Sequence, residues 1–303
     1  MAQKNLIQSE GEQLDALLAD LQREHDIKEI SGWESGFPSL SRALNGIIPG
    51  LYWLIGPPAC GKTSLSKQLL DQVVQHNSVP GIFFSFTEKK KELRIRTLSR
   101  LSGLENREIR RGSAYLLHWY GVPKARYTEA ERLPPGWEKL RRSAEEAKSW
   151  LNLAYVVECD RRTTLQEIED RIGAVKQIKS RDQVIVVIDD SQRLGFTDQP
   201  LENRIAAISD QLQGMAIDLN VAVIAVWPNL HDQDEALPQV WSDRVVGADV
   251  VLVVKRDTEG TRNLTEPSRR MTIHIVKNRG GERGALAFEF FPAFSRFVEV
   301  EQS

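Results

Sequence analysis

A glycine-rich octapeptide constrains this chain more than any other feature of its sequence. Residues 56–63 match the pattern G-x-x-x-x-G-K-[ST], between an apolar run that ends at Ile55 and an amphipathic stretch. In this pattern backbone N–H groups turn toward phosphate oxygens, the lysine reaches the β- and γ-phosphates, and the hydroxyl ligates Mg²⁺. The pattern predicts a nucleoside triphosphate site; the alternative is an ordinary glycine turn. The predicted phosphate-binding residues are Gly56, Pro57, Pro58, Ala59, Cys60, Gly61, Lys62, Thr63 and Ser64.

A second apolar run ends in two carboxylates. Residues 184–188 read VIVVI and are followed by Asp189 and Asp190. Such a run is typical of a buried parallel strand that delivers a carboxylate at its C-terminal end. Behind a phosphate-binding loop (P-loop), it predicts that Thr63 and Asp189 hold Mg²⁺, directly or through water. The alternative is a core strand followed by an Asx turn.

Composition sets the class of protein. With 303 residues and 41% hydrophobic content, the chain has enough material for one large domain or two small ones. No apolar stretch approaches the ~20 residues that span a bilayer, and the N-terminus lacks the pattern of a secretory signal. We therefore expect a soluble, cytoplasmic protein without a membrane partner. Two cysteines and five histidines indicate neither a disulfide framework nor a zinc site.

Apolar runs alternate with helical patterns along the chain, which predicts an α/β fold with a doubly wound, mostly parallel sheet. Three further runs without intervening helices predict an antiparallel C-terminal extension. In such a sheet the ligand lies at the C-terminal ends of the parallel strands, where the P-loop and Asp189 would meet. The predicted strands are 51–55, 81–86, 153–157, 184–188, 221–226 and 250–254, then 271–276, 287–290 and 296–300.

Two segments lie outside this alternation. Within residues 1–31, leucines at 14, 17, 18 and 21 recur at helical spacing after a capping box at 9–12, which predicts an N-terminal helix. This helix either folds back on its own domain or docks on a neighbouring subunit. Residues 32–303 form the nucleotide-binding domain, with an insertion at about 113–136. Its aromatic side chains either pack on the domain or stack on bases or a partner.

The formal net charge of −2 excludes a global basic field, so any nucleic-acid binding must come from local patches. One patch lies between residues 88 and 111, where nine lysines and arginines face four glutamates. Such a run is either a solvated helix face or a binding surface.

Short motifs spread over residues 32–300 resemble, in the same order, the RecA-like C-terminal motor of DnaB-type replicative helicases. They are SGFPSL at 35–40, PGL at 49–51, the P-loop, FSF at 84–86, Asp189 with Gln192, LNV at 219–221, IVKNRG at 275–280 and SRF at 295–297. The resemblance implies a RecA-like ATPase domain that binds ATP with Mg²⁺ and forms a hexameric ring that moves along single-stranded DNA. It also implies replication, plasmid, phage or mobile-element proteins as partners.

The resemblance also assigns roles to basic residues far from the P-loop. Lys277 and Arg279 resemble the family's trans-acting pair, which reaches the γ-phosphate bound by the next protomer as an arginine finger does; the alternative is a solvent-facing hairpin. Residues 242–247 replace a longer family loop that faces the central channel and contacts the DNA backbone, and Arg244 is what remains of its basic residues. Arg204 lies near the other expected channel segment. The N-terminal helix resembles a linker helix that packs against an adjacent motor.

The chain departs from the family's pattern beside the nucleotide. Aligned without gaps, Thr87 stands where the family carries the Glu that polarises the attacking water. Glu88 would serve if the strand end bulges, because a one-residue slip otherwise turns the side chain to the opposite face. Asp190 is a second candidate base. Pro228 stands where the family places a Gln that senses the γ-phosphate, with Asn229 as its substitute.

Three functions are compatible with these residues. The first is an ATP-driven ring motor or helicase on single-stranded DNA, with Lys62, Glu88, Asp189, Asp190, Lys277 and Arg279 as catalytic residues. The second is an ATP-dependent assembly switch, a ring or filament that hydrolyses ATP weakly or not at all and recruits partner proteins. The third is a P-loop kinase, which the family motifs disfavour.

Overall fold

The computed structural model describes residues 30–111, 136–195, 201–228, 245, 247–257 and 267–300, and positions 11, 14, 17–19 and 22 of the N-terminal segment. Within these residues we find nine strands. They are β1 (Gly50–Gly56), β2 (Gly81–Ser85), β3 (Ala154–Glu158), β4 (Ile185–Asp189), β5 (Ala222–Pro228), β6 (Val250–Arg256), β7 (Arg269–Asn278), β8 (Gly284–Phe291) and β9 (Arg296–Glu299).

Helices connect the parallel strands. Among the described residues they are α1 (Pro38–Leu44), α2 (Lys62–Asn77), α3 (Lys90–Ser102), α4 (Asn106–Arg111), α5 (Trp137–Leu151), α6 (Leu165–Lys179) and α7 (Leu201–Asp218). Their ends follow local chemistry: Thr164 and Glu167 form a capping box at the start of α6, and Gly103 ends α3 in the left-handed conformation, which glycine adopts without steric cost. Two short 3₁₀ turns, Ser191–Arg193 and Pro292–Phe294, follow β4 and β8.

The described strands form one sheet in the order β3-β2-β4-β5-β1-β6-β7-β8-β9. The first six run parallel, and β7, β8 and β9 continue the sheet by antiparallel pairing. This arrangement confirms the predicted fold class, a mostly parallel α/β sheet with an antiparallel C-terminal extension. Each predicted strand is present within a few residues of its predicted bounds, because the apolar runs that predicted the strands are the segments buried inside the sheet.

The core lies on both faces of the sheet, as a doubly wound fold requires. Successive residues of the central strand β1 alternate between the faces: Leu51 and Trp53 pack with residues of α6 and α7, whereas Tyr52 and Leu54 pack with residues of α1 and α2. The Trp53 ring meets Trp227 of β5 edge-to-face, with centroids 5.4 Å apart. Because both faces are covered, the ligand-binding surface must lie at the strand ends.

The described positions of the N-terminal segment are helical, and the side chains of Leu14, Leu17 and Leu18 are each about half exposed, at 51–54%. The predicted insertion lies outside the described residues up to residue 135, as do Asn229 and Arg244. None of the helices in the described part of the chain is both long and apolar enough to span a membrane.

Candidate functional site

The P-loop lies between the C-terminal end of β1 and the start of α2. Gly61, the residue before α2, has φ +94°, and a Cβ there would come within 2.9 Å of the Phe290 ring and 3.0 Å of the Phe297 ring. These two rings stack with centroids 4.4 Å apart. Glycine is therefore required at this position both for its backbone conformation and for the close approach of the aromatic pair.

The lysine of the P-loop is held inside the loop. The Lys62 Nζ donates hydrogen bonds of 2.8 Å to the carbonyl oxygens of Gly56 and Pro57. A helix N-terminus with unpaired N–H groups lies beside this ammonium group, because α2 begins at Lys62. The combination of positive charge and helix N-terminus favours phosphate binding.

Asp189 is the last residue of β4, next to Ser85 of β2, and only 3% of it is exposed. Burial raises the pKa of this carboxyl to about 6, against the hydrogen bond from Thr63, and the charges of Asp190 and Glu88 raise it further. Its Oδ2 atom is buried and has no hydrogen-bond partner among the described residues. A buried carboxylate oxygen left without a partner needs a cation or a proton.

These residues fit Mg²⁺. Magnesium takes oxygen ligands and is usually held by one or two protein groups, with waters and phosphates completing its shell. Thr63 and Asp189 would supply those two groups. Among the residues that the structure describes, no cluster of three or more His, Cys, Asp and Glu side chains could hold a metal ion. The site thus suits a cation that arrives with a nucleotide.

Asp190, the second of the two candidate bases, is tied to the 3₁₀ turn that follows β4. Its Oδ2 atom accepts a 2.6 Å hydrogen bond from the Gln192 side chain and lies 3.6 Å from the Arg193 Nε. Burial raises the pKa of Asp190, and its Oδ1 atom is buried without a partner in the described part of the chain.

Glu88, the first candidate base, is placed by a turn rather than by a strand bulge. Strand β2 ends at Ser85, whose Oγ accepts from the Glu88 N–H at 3.0 Å and donates to the Glu88 carbonyl oxygen at 2.8 Å. Thr87 is left exposed. Because the chain turns after Ser85, the strand alternation that would point Glu88 away from the P-loop does not apply.

Arg96 fixes the Glu88 carboxylate beside the P-loop. Its Nη2 and Nε donate to the two carboxylate oxygens of Glu88 at 2.5 and 2.9 Å, a bidentate pair. The Arg96 Nη1 also donates to the Ser64 Oγ at 2.9 Å and to the Ser295 Oγ at 3.1 Å. The sequence showed Arg96 only as one member of the basic patch, and the structure makes it a bridge from α3 to the P-loop.

The other cations of that patch are mostly paired within the protein. Ion pairs join Lys89 to Glu158, Arg110 to Glu92 and the buried Arg100 to Asp71. Carboxylates of the protein therefore neutralise part of the described patch.

A further basic residue that sequence analysis missed lies beside the P-loop. The Arg256 Nη2, at the end of β6, donates to the Ala59 carbonyl oxygen at 3.3 Å. Pro228 ends β5, where it pairs with Gly56.

We call residues 56–64, together with Glu88, Asp189 and Asp190, the P-loop edge.

Lys277 and Arg279 lie elsewhere, the first near the end of β7 and the second in the turn between β7 and β8. The turn is held against the end of α1: the Asn278 side chain and the Glu282 N–H both donate to the Ala43 carbonyl oxygen, at 2.9 and 3.1 Å. A Cβ on Gly281 would come within 2.4 Å of the same oxygen, so only glycine allows this contact. We call residues 277–283, with Asp249, the hairpin edge.

The P-loop edge and the hairpin edge lie at opposite ends of strand β1. The Arg279 N–H donates to the Asp249 carbonyl oxygen, and the Asp249 N–H donates to that of Leu51, so Arg279 is level with the start of β1. The P-loop follows the end of the same strand, whose seven residues span about 20 Å at ~3.3 Å each. An arginine side chain is much shorter than this, so Arg279 does not reach the P-loop of its own chain.

Arg204, predicted to contact DNA, is largely buried, with 7% of it exposed. Its Nη2 donates to the Gln192 carbonyl oxygen at 2.5 Å. This contact joins α7 to the turn after the Asp189 strand. The DNA-binding role of Arg204 stays a prediction, as does that of Arg244, which lies outside the described residues.

Comparison with known proteins agrees with this fold. The replicative DNA helicase DnaB of Pasteurella multocida (strain Pm70) is 26% identical over 287 residues, which cover 90% of this chain and 56% of the relative. One solved structure, described as an ATPase domain, superimposes with a TM-score of 0.76 at 21% identity, over 97% of this chain and 100% of that one.

A second solved structure, described as a DnaB-like replicative helicase and its interactions with primase, superimposes with a TM-score of 0.72 at 20% identity. The match covers 95% of this chain and 68% of that chain. The match to the DnaB helicase of Pasteurella multocida spans little more than half the length of that relative. The model of the DnaB-like helicase C-terminal domain matches residues 32–299, nearly the whole chain. The chain belongs to the family of DnaB-like helicase C-terminal domains, which are RecA-like ATPase domains.

Proposed function

We propose that this chain is an ATP-hydrolysing ring motor that acts on single-stranded DNA, with each active site formed by two copies. One observation carries the proposal: the groups that bind phosphate lie at one edge of the sheet, and the two basic residues expected to complete the site lie about 20 Å away. A single copy therefore has half a site at each end. Head-to-tail association joins the halves, and such contacts close into rings when the rotation between copies permits.

The P-loop edge supplies the nucleotide half. Lys62 and the N-terminus of α2 bind the phosphates, and Thr63 with Asp189 holds Mg²⁺, which neutralises the charge that develops on the phosphoryl group. Glu88 prepares the attacking water. Its support is the contact with Arg96, which sets the carboxylate beside Ser64 at the first turn of α2. Asp190 already uses one oxygen on Gln192 and is the second candidate base.

The hairpin edge supplies the other half. The Arg279 side chain is 63% exposed at a turn that is braced against α1, so it projects from a rigid element toward solvent. We assign it to the γ-phosphate of the neighbouring copy, with Lys277 beside it. A guanidinium placed in this way stabilises the charge of the transition state.

The ring and its partners follow from the family. We propose a cytoplasmic hexamer in which the N-terminal helix docks on the adjacent copy, because Leu14, Leu17 and Leu18 leave an exposed apolar face. Single-stranded DNA is the substrate track. The partners are replication proteins, of which primase is one, since a fold neighbour is described with it. A plasmid, phage or mobile-element context fits equally.

The test combines ATPase turnover with mass determination. We expect ATP turnover that rises with single-stranded DNA at low salt and loses this stimulation as salt increases, because phosphate contacts release counterions. We also expect a hexamer with ATP and Mg²⁺. Lys62→Ala should abolish the turnover. A monomer in the presence of ATP, or turnover that is indifferent to DNA at low salt, would overturn the proposal.

The exposed position of Thr87 favours a second function, an ATP-dependent assembly switch. Thr87 is exposed at the position where the family's Glu is expected, so hydrolysis depends on Glu88 or Asp190 taking over. If neither does, the protein is an ATP-dependent assembly switch that recruits partners. ATP would then assemble the protein while no phosphate is released, and this outcome separates the switch from the motor.

A further inference from the structure

The hairpin edge holds a carboxylate that no family motif singled out. Asp249 precedes β6, and its Oδ2 accepts a 2.9 Å hydrogen bond from the Leu51 N–H. The backbone of Asp249 is fixed as well, because its N–H donates to the Leu51 carbonyl oxygen at 2.9 Å. The carboxylate is thus attached to the central strand of the sheet and cannot drift with the hairpin.

Gly50 makes room for this carboxylate. A Cβ at position 50 would lie 2.7 Å from the Asp249 Oδ2, and Gly50 has φ +152°. The start of β1 is therefore shaped around the Asp249 side chain. A carboxylate that is bonded on one oxygen and packed against bare backbone offers its other oxygen in a fixed direction.

That other oxygen binds the proposed finger. The Asp249 Oδ1 lies 2.8 Å from the Arg279 Nη1, and the Arg279 N–H donates to the Asp249 carbonyl oxygen at 3.0 Å. Asp249 thus holds Arg279 at both its backbone and its guanidinium. The Arg279 side chain as a whole is 63% exposed, so the contact orders the side chain without covering it.

We propose that Asp249 is a positioning residue for Arg279, and that it acts on hydrolysis in the neighbouring copy. The inference rests on the proposed function, in which Arg279 completes a neighbour's site. An arginine side chain has many rotamers, and holding one Nη in advance reduces the entropy lost when the remaining N–H groups meet a phosphate. Asp249 also opposes the mutual repulsion of Arg279 and Lys277, whose pKa is lowered by burial and by the charges of Arg279 and Arg283.

A positioning role for the Asp249–Arg279 pair and the role of an ordinary surface ion pair predict effects on different quantities. Exposed pairs add little to stability, so a structural role for this pair would hardly be detectable. A positioning role appears in turnover instead, and in the copy that does not carry the substitution. Asp249→Asn is the discriminating variant because its amide oxygen can still accept from the Leu51 N–H, while its amide nitrogen cannot bind a guanidinium.

In the assembled protein with ATP and Mg²⁺, we expect Asp249→Asn to lower kcat about tenfold while KM for ATP is unchanged, since small misplacements of a catalytic group have effects of this order or larger. Mixing it with Lys62→Ala protein in equal amounts should raise turnover per intact P-loop about fivefold, because half of those P-loops then face an intact finger. The matched control is Asp170→Asn, which removes an exposed carboxylate of α6 that contacts only Gln166 among the described residues and should match the parent protein.

Two results would overturn the inference. The first is an Asp249→Asn protein with the parent kcat. The second is a reduced kcat that Lys62→Ala protein does not restore, which would place the defect in the variant's own P-loop through β1. Arg279→Ala is mixed with Lys62→Ala in parallel: if that pair also fails to recover, the proposed function fails, and if only the Asp249→Asn mixture fails, the proposed function stands and the inference alone is wrong.

Discussion

The P-loop edge and the hairpin edge differ in whether their charged groups are buried and whether they have partners. At the P-loop edge, the Asp189 Oδ2 and the Asp190 Oδ1 are buried without partners among the described residues, and Lys62 is bonded to loop carbonyl oxygens. At the hairpin edge, Arg279 is exposed and already paired with Asp249. Buried, unsatisfied groups require a ligand, whereas a paired and exposed cation is ready to be presented to another molecule.

The backbones of the two edges differ in a matching way. The P-loop turns tightly at Gly61, which lies over an aromatic pair, and it presents the N-terminus of α2 to a ligand. The hairpin turn is braced by hydrogen bonds among the Ala43 carbonyl oxygen of α1, the Asn278 side chain and the Glu282 backbone. The P-loop edge can receive a ligand, and the hairpin edge holds the Arg279 side chain in place. A site completed between two copies needs one edge of each kind.

The largest expected effect sharpens this contrast at the hairpin edge. Arg279→Ala should lower kcat for ATP hydrolysis about 10³-fold, the effect of removing an arginine finger, and should leave the affinity for ATP unchanged in equilibrium binding. If Arg279→Ala instead weakens ATP binding in the isolated protomer, the two edges are not separate half-sites.

The next effect concerns the base at the P-loop edge. Glu88→Gln should lower kcat about 10²-fold, within the range for removal of a general base, while nucleotide-dependent assembly persists. Asp190→Asn is the comparison variant, because it removes the other candidate carboxylate. A larger loss of turnover in Asp190→Asn than in Glu88→Gln would reverse the assignment.

The unsatisfied carboxylate of Asp189 at the P-loop edge predicts a pH dependence of stability. The pKa of Asp189 is raised to about 6 from its ordinary 3.8, so between these values the folded state binds the proton more tightly than the unfolded state. The contribution of Asp189 to the free energy of unfolding should therefore fall as pH rises from about 4 to 6, by an amount on the order of 2–3 kcal/mol.

The measurement is denaturant unfolding across this pH range without nucleotide, with Asp189→Asn as the comparison. The variant should lose this part of the pH dependence. Adding ATP with Mg²⁺ to the parent protein should restore stability at the higher pH, because binding to the folded state stabilises it. If the free energies of unfolding of the parent and of Asp189→Asn change in parallel across this pH window, the burial of Asp189 is contradicted.

The smallest effect tests the packing beneath the P-loop. Gly61→Ala should destabilise the protein by about 1–3 kcal/mol, because alanine is strained at φ +94° and meets the Phe290 ring. Gly173→Ala is the matched control: Gly173 lies in α6 with open space around it, and alanine there should stabilise the helix by about 0.5–1 kcal/mol. Unfolding midpoints of the two variants should shift in opposite directions.

Local patterns explain how much was predictable from the sequence. The strands of the sheet and the P-loop are contiguous stretches, so periodicity and motif spacing reveal them directly. The short helix α1 escaped prediction because seven residues show too little periodicity. Conversely, Glu88 is placed by a turn that the Ser85 hydroxyl closes and not by the strand bulge that its role as a base was thought to require.

Contacts between distant positions explain the rest. Arg96 reaches Glu88 eight positions away along the chain, and the Asp249 carboxylate binds the backbone of Leu51 198 positions away. Neither pairing leaves a signal in one sequence, because each depends on how helices and strands pack. At the hairpin edge, a sequence motif thus revealed Lys277 and Arg279 but not Asp249, the carboxylate that holds Arg279.

The most direct test of sites shared between copies is to mix two inactive proteins. Lys62→Ala has no working P-loop but an intact finger, and Arg279→Ala has the reverse. We expect each alone to show negligible ATPase activity, and an equal mixture, assembled with ATP and Mg²⁺, to recover about half of the parent turnover per intact P-loop. A mixture as inactive as its components, although it assembles, would show that the two edges do not form one site.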